Sequence, residues 1–324
     1  MTRRPVQVRC LTAAVSIAAL SVLSPAATLA AQPTPELVLH GYAPDARFNV
    51  PRAVALSTAR GEILVGDSGN HAIDIFSLKG RPLARYVHRV ERLDGTWVDG
   101  NPVGLAVDSA GRTLVVDSNA PYVDVLDGLG RSIARLAPPV PADSETSGPG
   151  AVTVLKSGAI LVGMSGETGR IYRFTREYAL DGSWGEAGRS PGHLASVIGI
   201  AEEADGRILV VCPNTDLAVQ RFTADGKFVV GFGRHEIGQG NFSFPSGITV
   251  TADGRIYVSD ELRHVVTVLD STGQQVDAIG GGGPGPGQFE YPSALSSDSQ
   301  GRLAVVERGT ARLQLLRLAG QDPE

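Results

Sequence analysis

Cysteine, lysine and aromatic residues are scarce in this chain of 324 residues. Its two cysteines are Cys10 and Cys212, and Cys10 lies in a segment with the features of a removable leader, so the remaining chain has no second cysteine for an internal disulfide. There are three lysines, and no basic run exceeds Arg3-Arg4. Because nucleic-acid binding depends on clustered basic side chains and the net charge is -5, no DNA or RNA partner is expected.

Glycine and proline are abundant instead, with 40 and 20 residues, and 42% of the chain is hydrophobic. This hydrophobic content excludes a disordered chain. Glycine and proline are spread along the whole length, which argues against a mostly helical fold. The length alone allows either two domains or one large β domain.

The first 31 residues have the three-part layout of a secretory signal peptide: three arginines, an apolar stretch over 11–23, and small residues up to Ala31. We therefore expect an exported protein, periplasmic or extracellular, with no membrane span after cleavage and a formal charge of -8. The alternative is an uncleaved anchor. The apolar stretch is shorter than the roughly 20 residues that span a bilayer, which favours cleavage.

A glycine placed four residues before a valine recurs six times at spacings of 47 to 50 residues, at Gly61, Gly111, Gly158, Gly206, Gly254 and Gly301. An apolar run precedes each copy and another follows it. Asp-Gly pairs such as Asp205-Gly206 join successive runs with tight hairpins. Each period thus predicts a four-stranded antiparallel blade, and the six periods predict an all-β, six-bladed propeller that occupies residues 32–324 as one domain.

The last copy ends without room for a fourth strand, while an apolar segment, Leu37 to Gly41, precedes the first copy. We expect this N-terminal strand to complete the last blade and so close the ring, because closure removes free sheet edges.

After the second run of the first copy comes Asp67-Ser68-Gly69-Asn70-His71, which resembles the core of NHL repeats. Gly-rich leads such as Gly238 to Phe242 and Gly287-Gln288-Phe289 also look like the entry into an NHL blade. The resemblance covers about residues 37 to 318. It implies a propeller that acts as a protein- or RNA-binding platform or, in some branches, as a lyase.

Three side chains of this motif, Asp67, Asn70 and His71, are expected to build the turn between the second and third strands through hydrogen bonds to the backbone. Asp117 and Asp260 repeat the aspartate. The alternative is that His71 acts as a ligand or base.

A channel enzyme is the alternative function, since NHL propellers resemble amidating lyases, and gluconolactonase-type and streptogramin-lyase-type propellers also carry channel sites. Such sites use histidine and acidic side chains, yet none stands in the first pair of residues of any inner run. The polar candidates near the channel mouth are Asn49, Arg52, Asn101 and Glu290. We therefore expect no catalytic residue, no metal and no cofactor.

Long connections on one rim of the ring form the remaining candidate surface, because binding residues concentrate on loops and Trp and Arg often anchor interfaces. The candidates are His88, Arg89, Arg92, Trp97, Trp184, His193, Arg234 and His235. The alternative is that these loops are solvated connectors. The sequence thus predicts an exported, non-catalytic binding or scaffolding module with a protein partner in the cell envelope.

Overall fold

A computed structural model describes residues 33–139, 148–236 and 238–318, all of which belong to one compact unit, Gln32–Glu324. The predicted leader and its cleavage site lie outside the described residues. In the part that is described, no helix is long and apolar enough to cross a bilayer.

Six four-stranded antiparallel sheets form the blades, numbered here in chain order, and the strands of each blade are called inner, second, third and outer. The strands of blades 1 to 3 are Pro51–Ser57, Glu62–Asp67, Ala72–Ser77 and Pro82–Val87; Pro102–Val107, Thr113–Asp117, Val123–Leu126 and Ser132–Leu136; Pro149–Val154, Ile160–Met164, Ile171–Phe174 and Leu180–Trp184. Those of blades 4 to 6 are Gly199–Glu202, Ile208–Val211, Val219–Phe222 and Phe228–Phe232; Pro245–Val250, Ile256–Asp260, Val265–Leu269 and Gln275–Gly280; Pro292–Ser297, Arg302–Glu307, Arg312–Arg317 and Pro35–Leu39.

Three short elements lie outside the blades. Two are hairpins that follow outer strands: Gly41–Ala43 pairs with Ala46–Arg47, and Arg89–Glu91 pairs with Trp97–Asp99. The third is a 3-10 turn, Ser68–Asn70, between the second and third strands of blade 1. The segment after blade 1 is thus a hairpin rather than an irregular loop.

The second strands are the most buried, because neighbouring blades cover both of their faces. Leu64 of blade 1 is fully buried and packs in one cluster with Val115 of blade 2. The cluster that contains Val210 of blade 4 likewise includes Leu161 of blade 3. The core therefore lies between the blades, which explains why the second strands are almost continuous runs of Val, Ile and Leu.

The ring is closed by the N-terminal strand, as the sequence predicts. Pro35–Leu39 pairs antiparallel with Arg312–Arg317, with Leu37 opposite Leu315 and Leu39 opposite Leu313. The inner strands of blades 6 and 1 also contact each other. The predicted six-bladed propeller with N-terminal closure is confirmed.

Candidate functional site at the channel mouth

One residue at or near the start of each inner strand lines the mouth of the central channel. In five blades the register against the second strand shifts around the second residue of the inner strand, and the corresponding residue of blade 4 is Ile198, just before its strand. These six mouth residues are Arg52, Val103, Gly150, Ile198, Ser246 and Ser293.

A cavity of about 940 Å³ lies over this ring, and a narrower space of about 370 Å³ continues between the inner strands. The six mouth residues line both, so the cavity is the open end of the channel. A concave space of this size is typical of small-ligand sites.

Five charged residues line the cavity: Arg52, Arg92, Asp94, Glu261 and Arg308. Glu261 is 8% exposed, and its Oε2 lies 2.7 Å from Nη2 of Arg308. Burial raises the pKa of Glu261, while the positive charges of Arg308 and Arg52 act to lower it. The Nε of Arg308 is buried without a hydrogen-bond partner, although the Arg308 guanidinium also lies over the Tyr291 ring, 5.2 Å from its centroid.

Arg52 is exposed and makes no hydrogen bond or ion pair with any described residue. Arg92 also lines the cavity, and its described hydrogen bonds involve its backbone alone, although its positive charge acts on the nearby exposed Asp94 carboxylate. Two guanidinium groups at the cavity are therefore available for an acidic group, because arginine presents several N–H donors in a fixed, planar arrangement.

The serine hydroxyls at the mouth hold neighbouring blades together. Ser293 Oγ donates to the carbonyl oxygen of Pro51 at 2.9 Å, and Ser246 Oγ donates to that of Pro292 at 2.8 Å. Since both protons are committed to the fold, neither serine is positioned as a nucleophile.

Apolar side chains complete the cavity wall. Leu93 is 83% exposed at the tip of the Arg89–Asp99 hairpin, and Phe244 is 42% exposed on the connection that enters blade 5. Val103 and Ile198 lie among the mouth residues. The cavity thus combines arginine side chains with an exposed apolar surface.

His88, which was predicted to lie on the loop-rich rim, is buried, with 4% of its surface exposed. Its Nδ1 lies 2.9 Å from Asp117 Oδ2, and its Nε2 lies 3.3 Å from Asp124 Oδ2. Burial acts to lower the pKa of His88, but the hydrogen bonds and charges of the two carboxylates outweigh it and raise the pKa to about 9. His88 is therefore a buried cation and is not available to a surface partner.

Three other predicted rim residues do not line the cavity. Arg89 and Asp99 are both exposed and 3.5 Å apart, and Trp97 is 52% exposed beneath the Arg135 guanidinium. Trp184 is the last residue of an outer strand and packs on Phe222.

On the connection between blades 3 and 4, His193 lies 3.8 Å from Glu186. On the connection between blades 4 and 5, the backbone N–H of Arg234 donates to Asn241 Oδ1, and His235 is exposed. Among the eight predicted rim residues, Arg92 alone lines the cavity.

Of the four residues predicted near the channel mouth, Arg52 lines the cavity. The other three belong to connections held by the acid at the end of a second strand: the backbone N–H groups of Asn49, Asn101 and Glu290 donate to Asp67, Asp117 and Glu307.

The predicted turn residues make hydrogen bonds of the same kind. Asn70 Nδ2 donates to Asp67 Oδ2 and to the Arg47 carbonyl oxygen, and Asp260 accepts from the backbone of Ser243 and Phe244. His71 adopts a left-handed conformation with φ of 56°, and its Nδ1 lies 2.6 Å from the Gly100 carbonyl oxygen.

Glu261 and Arg308 are absent from the sequence-based candidates. Both follow the last residue of a second strand, a position that is Ser68, Ser118 and Ser165 in the first three blades. Alignment of the six repeats by their period would place Glu261 and Arg308 at the same position as these three serines. Opposite charges at this shared position are the sequence signal that could have identified the pair.

No group of three or more His, Cys, Asp or Glu side chains within the described ranges is arranged to hold a metal ion.

The profile of the NHL repeat family matches residues 242–269, which span the entry to blade 5 and its first three strands. The match covers one blade, and the other five blades share its four-stranded topology. The chain is a six-bladed β-propeller that carries an NHL repeat in blade 5. A comparison with curated proteins finds no match to the propeller.

Solved structures share the propeller fold at low identity. A protein of unknown function from Bacteroides caccae is 17% identical, with a TM-score of 0.58, and the match covers 76% of this chain and 82% of that one. Virginiamycin B lyase from Staphylococcus aureus is 14% identical, with a TM-score of 0.57 over 87% and 98% of the two chains. A gluconolactonase from Xanthomonas campestris is 17% identical, with a TM-score of 0.57 over 83% and 86%. At these identities the likeness shows the fold alone.

Proposed function

We propose that this propeller is an exported binding module of the periplasm or cell envelope, and that the cavity at the channel mouth holds an acidic, partly apolar segment of a partner protein. The observation that carries this proposal is the unpaired guanidinium of Arg52, exposed at the cavity beside the ion pair of the buried Glu261 with the partly exposed Arg308. The signal-peptide layout of the first 31 residues supports export.

The chemistry of the ligand follows from the wall of the cavity. Arg52 and Arg92 offer N–H donors to a carboxylate, while Leu93 and Phe244 offer exposed apolar surface. An extended peptide that carries Asp or Glu next to Leu or Phe satisfies both requirements, because its acid meets an arginine while its apolar side chain leaves water.

Short fluorescent peptides that pair Asp or Glu with Leu or Phe, each matched by its Asn or Gln counterpart, test this proposal by fluorescence polarisation. The acidic peptides should bind more tightly than the neutral ones, and Arg52→Ala should weaken their binding roughly tenfold or more. Arg131→Ala is the control, because Arg131 is exposed and paired with Asp127 away from the cavity. Equal binding of acidic and neutral peptides, or no binding of either, would contradict the proposal.

A second candidate is a propeller lyase or hydrolase with Glu261 as general base. The supporting observation is a buried carboxylate with a raised pKa at the cavity, a combination that is common in active sites. Turnover of a streptogramin B or of gluconolactone, assayed with and without added divalent cations, tests it. Turnover by the parent protein that disappears in Glu261→Gln would favour this candidate over the binding module. Absence of turnover with both substrates would count against it.

A further inference from the structure

The outer strand of blade 4, Phe228–Phe232, differs from the other five outer strands in carrying no charged residue. Each of the others contains one, namely Arg85, Arg135, Asp181, Asp277 and Glu36 in blades 1, 2, 3, 5 and 6. Charges on edge strands discourage pairing with another chain. Blade 4 is therefore the one blade whose edge has no such protection.

This edge is also exposed and apolar. Phe228, Val229 and Val230 are 40%, 44% and 39% exposed, so three consecutive hydrophobic side chains face solvent. The strand pairs with Val219–Phe222 on one side and is the last strand of its sheet. The unpaired backbone groups along such an edge are satisfied by an added strand.

We propose that Phe228–Phe232 pairs antiparallel with the same strand of a second copy of this chain, forming a two-fold symmetric dimer. In such a pair each strand meets its own sequence, so a charged strand would bring like charges together, which is destabilising. Self-pairing of the other outer strands would place Arg85 near Arg85 or Asp277 near Asp277. Phe228–Phe232 carries no such penalty, and pairing centred on Val230, which follows the register irregularity at Val229, sets the two copies of Val230 opposite each other.

The charges that flank the strand are compatible with this arrangement. Lys227 precedes the strand, and its Nζ lies 2.9 Å from Asp225 Oδ2, so its charge is already compensated. Arg234 comes after the strand, and its backbone is bonded to the connection that follows: its N–H donates to Asn241 Oδ1 and its carbonyl oxygen accepts from the N–H of Phe242. The two-fold pairing therefore buries hydrophobic side chains and leaves the charges at its ends.

Sedimentation velocity over a range of protein concentrations tests the proposal. The parent protein should form a dimer, and Val230→Lys should raise its dissociation constant by roughly 100-fold, because the substitution buries like charges at the two-fold axis. Ile133→Lys is the matched control on the outer strand of blade 2, where Ile133 is 49% exposed. A parent protein that stays monomeric, or a Val230→Lys variant that dimerises like the parent, would overturn the proposal.

Oxidative cross-linking gives a second test that does not depend on a destabilising charge. Val230→Cys should form a covalent dimer under mild oxidation, because antiparallel pairing at the axis brings the two thiols close. Val276→Cys on the outer strand of blade 5, where Val276 is 54% exposed, should not. The parent chain, whose own cysteines are Cys10 and Cys212, serves as the blank. Equal cross-linking of both variants would count against pairing at blade 4.

Discussion

The His88 imidazole joins Asp117 and Asp124, at the end of the second strand and within the third strand of blade 2. His88 immediately precedes the Arg89–Asp99 hairpin, whose tip contributes Leu93 to the cavity. A buried ion cluster therefore fixes the base of a hairpin that forms part of the candidate site.

His88→Gln should lower stability by an amount that depends on pH. The pKa of His88 is raised from 6.5 in the unfolded chain to about 9, so its stabilising contribution is complete below the unfolded value and disappears as pH rises through the folded one. The loss should be on the order of 3 kcal/mol at low pH and small at high pH.

Thermal unfolding at about pH 6 and about pH 10 measures this difference. His235→Gln, at an exposed histidine, is the control. A melting-temperature difference between His88→Gln and the parent that does not change with pH would contradict the assigned charge of His88.

Asp74→Asn should stabilise the protein at neutral pH. Asp74 is fully buried, neither carboxylate oxygen has a hydrogen-bond partner within the described structure, and Arg85 lies 3.5 Å away. Burial raises the pKa of Asp74 to about 7, against the opposing charge of Arg85. Because the folded state holds this proton more tightly than the unfolded chain, stability falls as pH rises from 3.8 to about 7.

Asp124, at the equivalent position in blade 2, provides a control for which the opposite change in stability is expected. Asp124 lies opposite Val115 as Asp74 lies opposite Val65, but Asp124 contacts the His88 cation. Asp124→Asn should therefore lower the melting temperature at pH 7, where Asp74→Asn raises it. The gain from Asp74→Asn should vanish below about pH 4. A loss of stability in both variants at neutral pH would refute this comparison.

His71→Ala should destabilise the fold while leaving peptide binding unchanged. The substitution removes a hydrogen bond to Gly100 and places alanine at a φ of 56°, a conformation that histidine and asparagine adopt more readily than alanine does. The cost should be about 1 to 2 kcal/mol in denaturant unfolding. His71→Asn should retain part of that stability because asparagine tolerates this conformation. Loss of peptide binding without loss of stability would instead indicate that His71 acts as a ligand.

Removal of the closing strand should be costly. In a chain that starts at Tyr42, blade 6 would lack its outer strand, and Leu37 and Leu39 would no longer pack against the cluster that contains Leu313. The melting temperature should fall far more than in Glu36→Gln, which removes an exposed ion pair with Arg317 worth at most about 1 kcal/mol. Equal melting temperatures for the shortened and parent chains would refute the importance of this closure.

Local patterns predict the blades because each strand is specified by residues close to it in sequence. The inner strands Pro102–Val107 and Pro245–Val250, for example, coincide with apolar runs that begin at a proline. The cavity is different, because Glu261 and Arg308 belong to different blades and meet through ring geometry. Burial of His88 likewise depends on two carboxylates of the next blade, which a scan along the chain does not bring together.

The closing strand also constrains the order of events during synthesis. Pro35–Leu39 is among the first parts of the propeller to be made, whereas its partner Arg312–Arg317 is among the last. A contact between positions so far apart in sequence carries a high entropic cost and forms slowly. The ribosome must therefore complete almost the entire chain before the ring can close, and until then the first strand remains without its native neighbour.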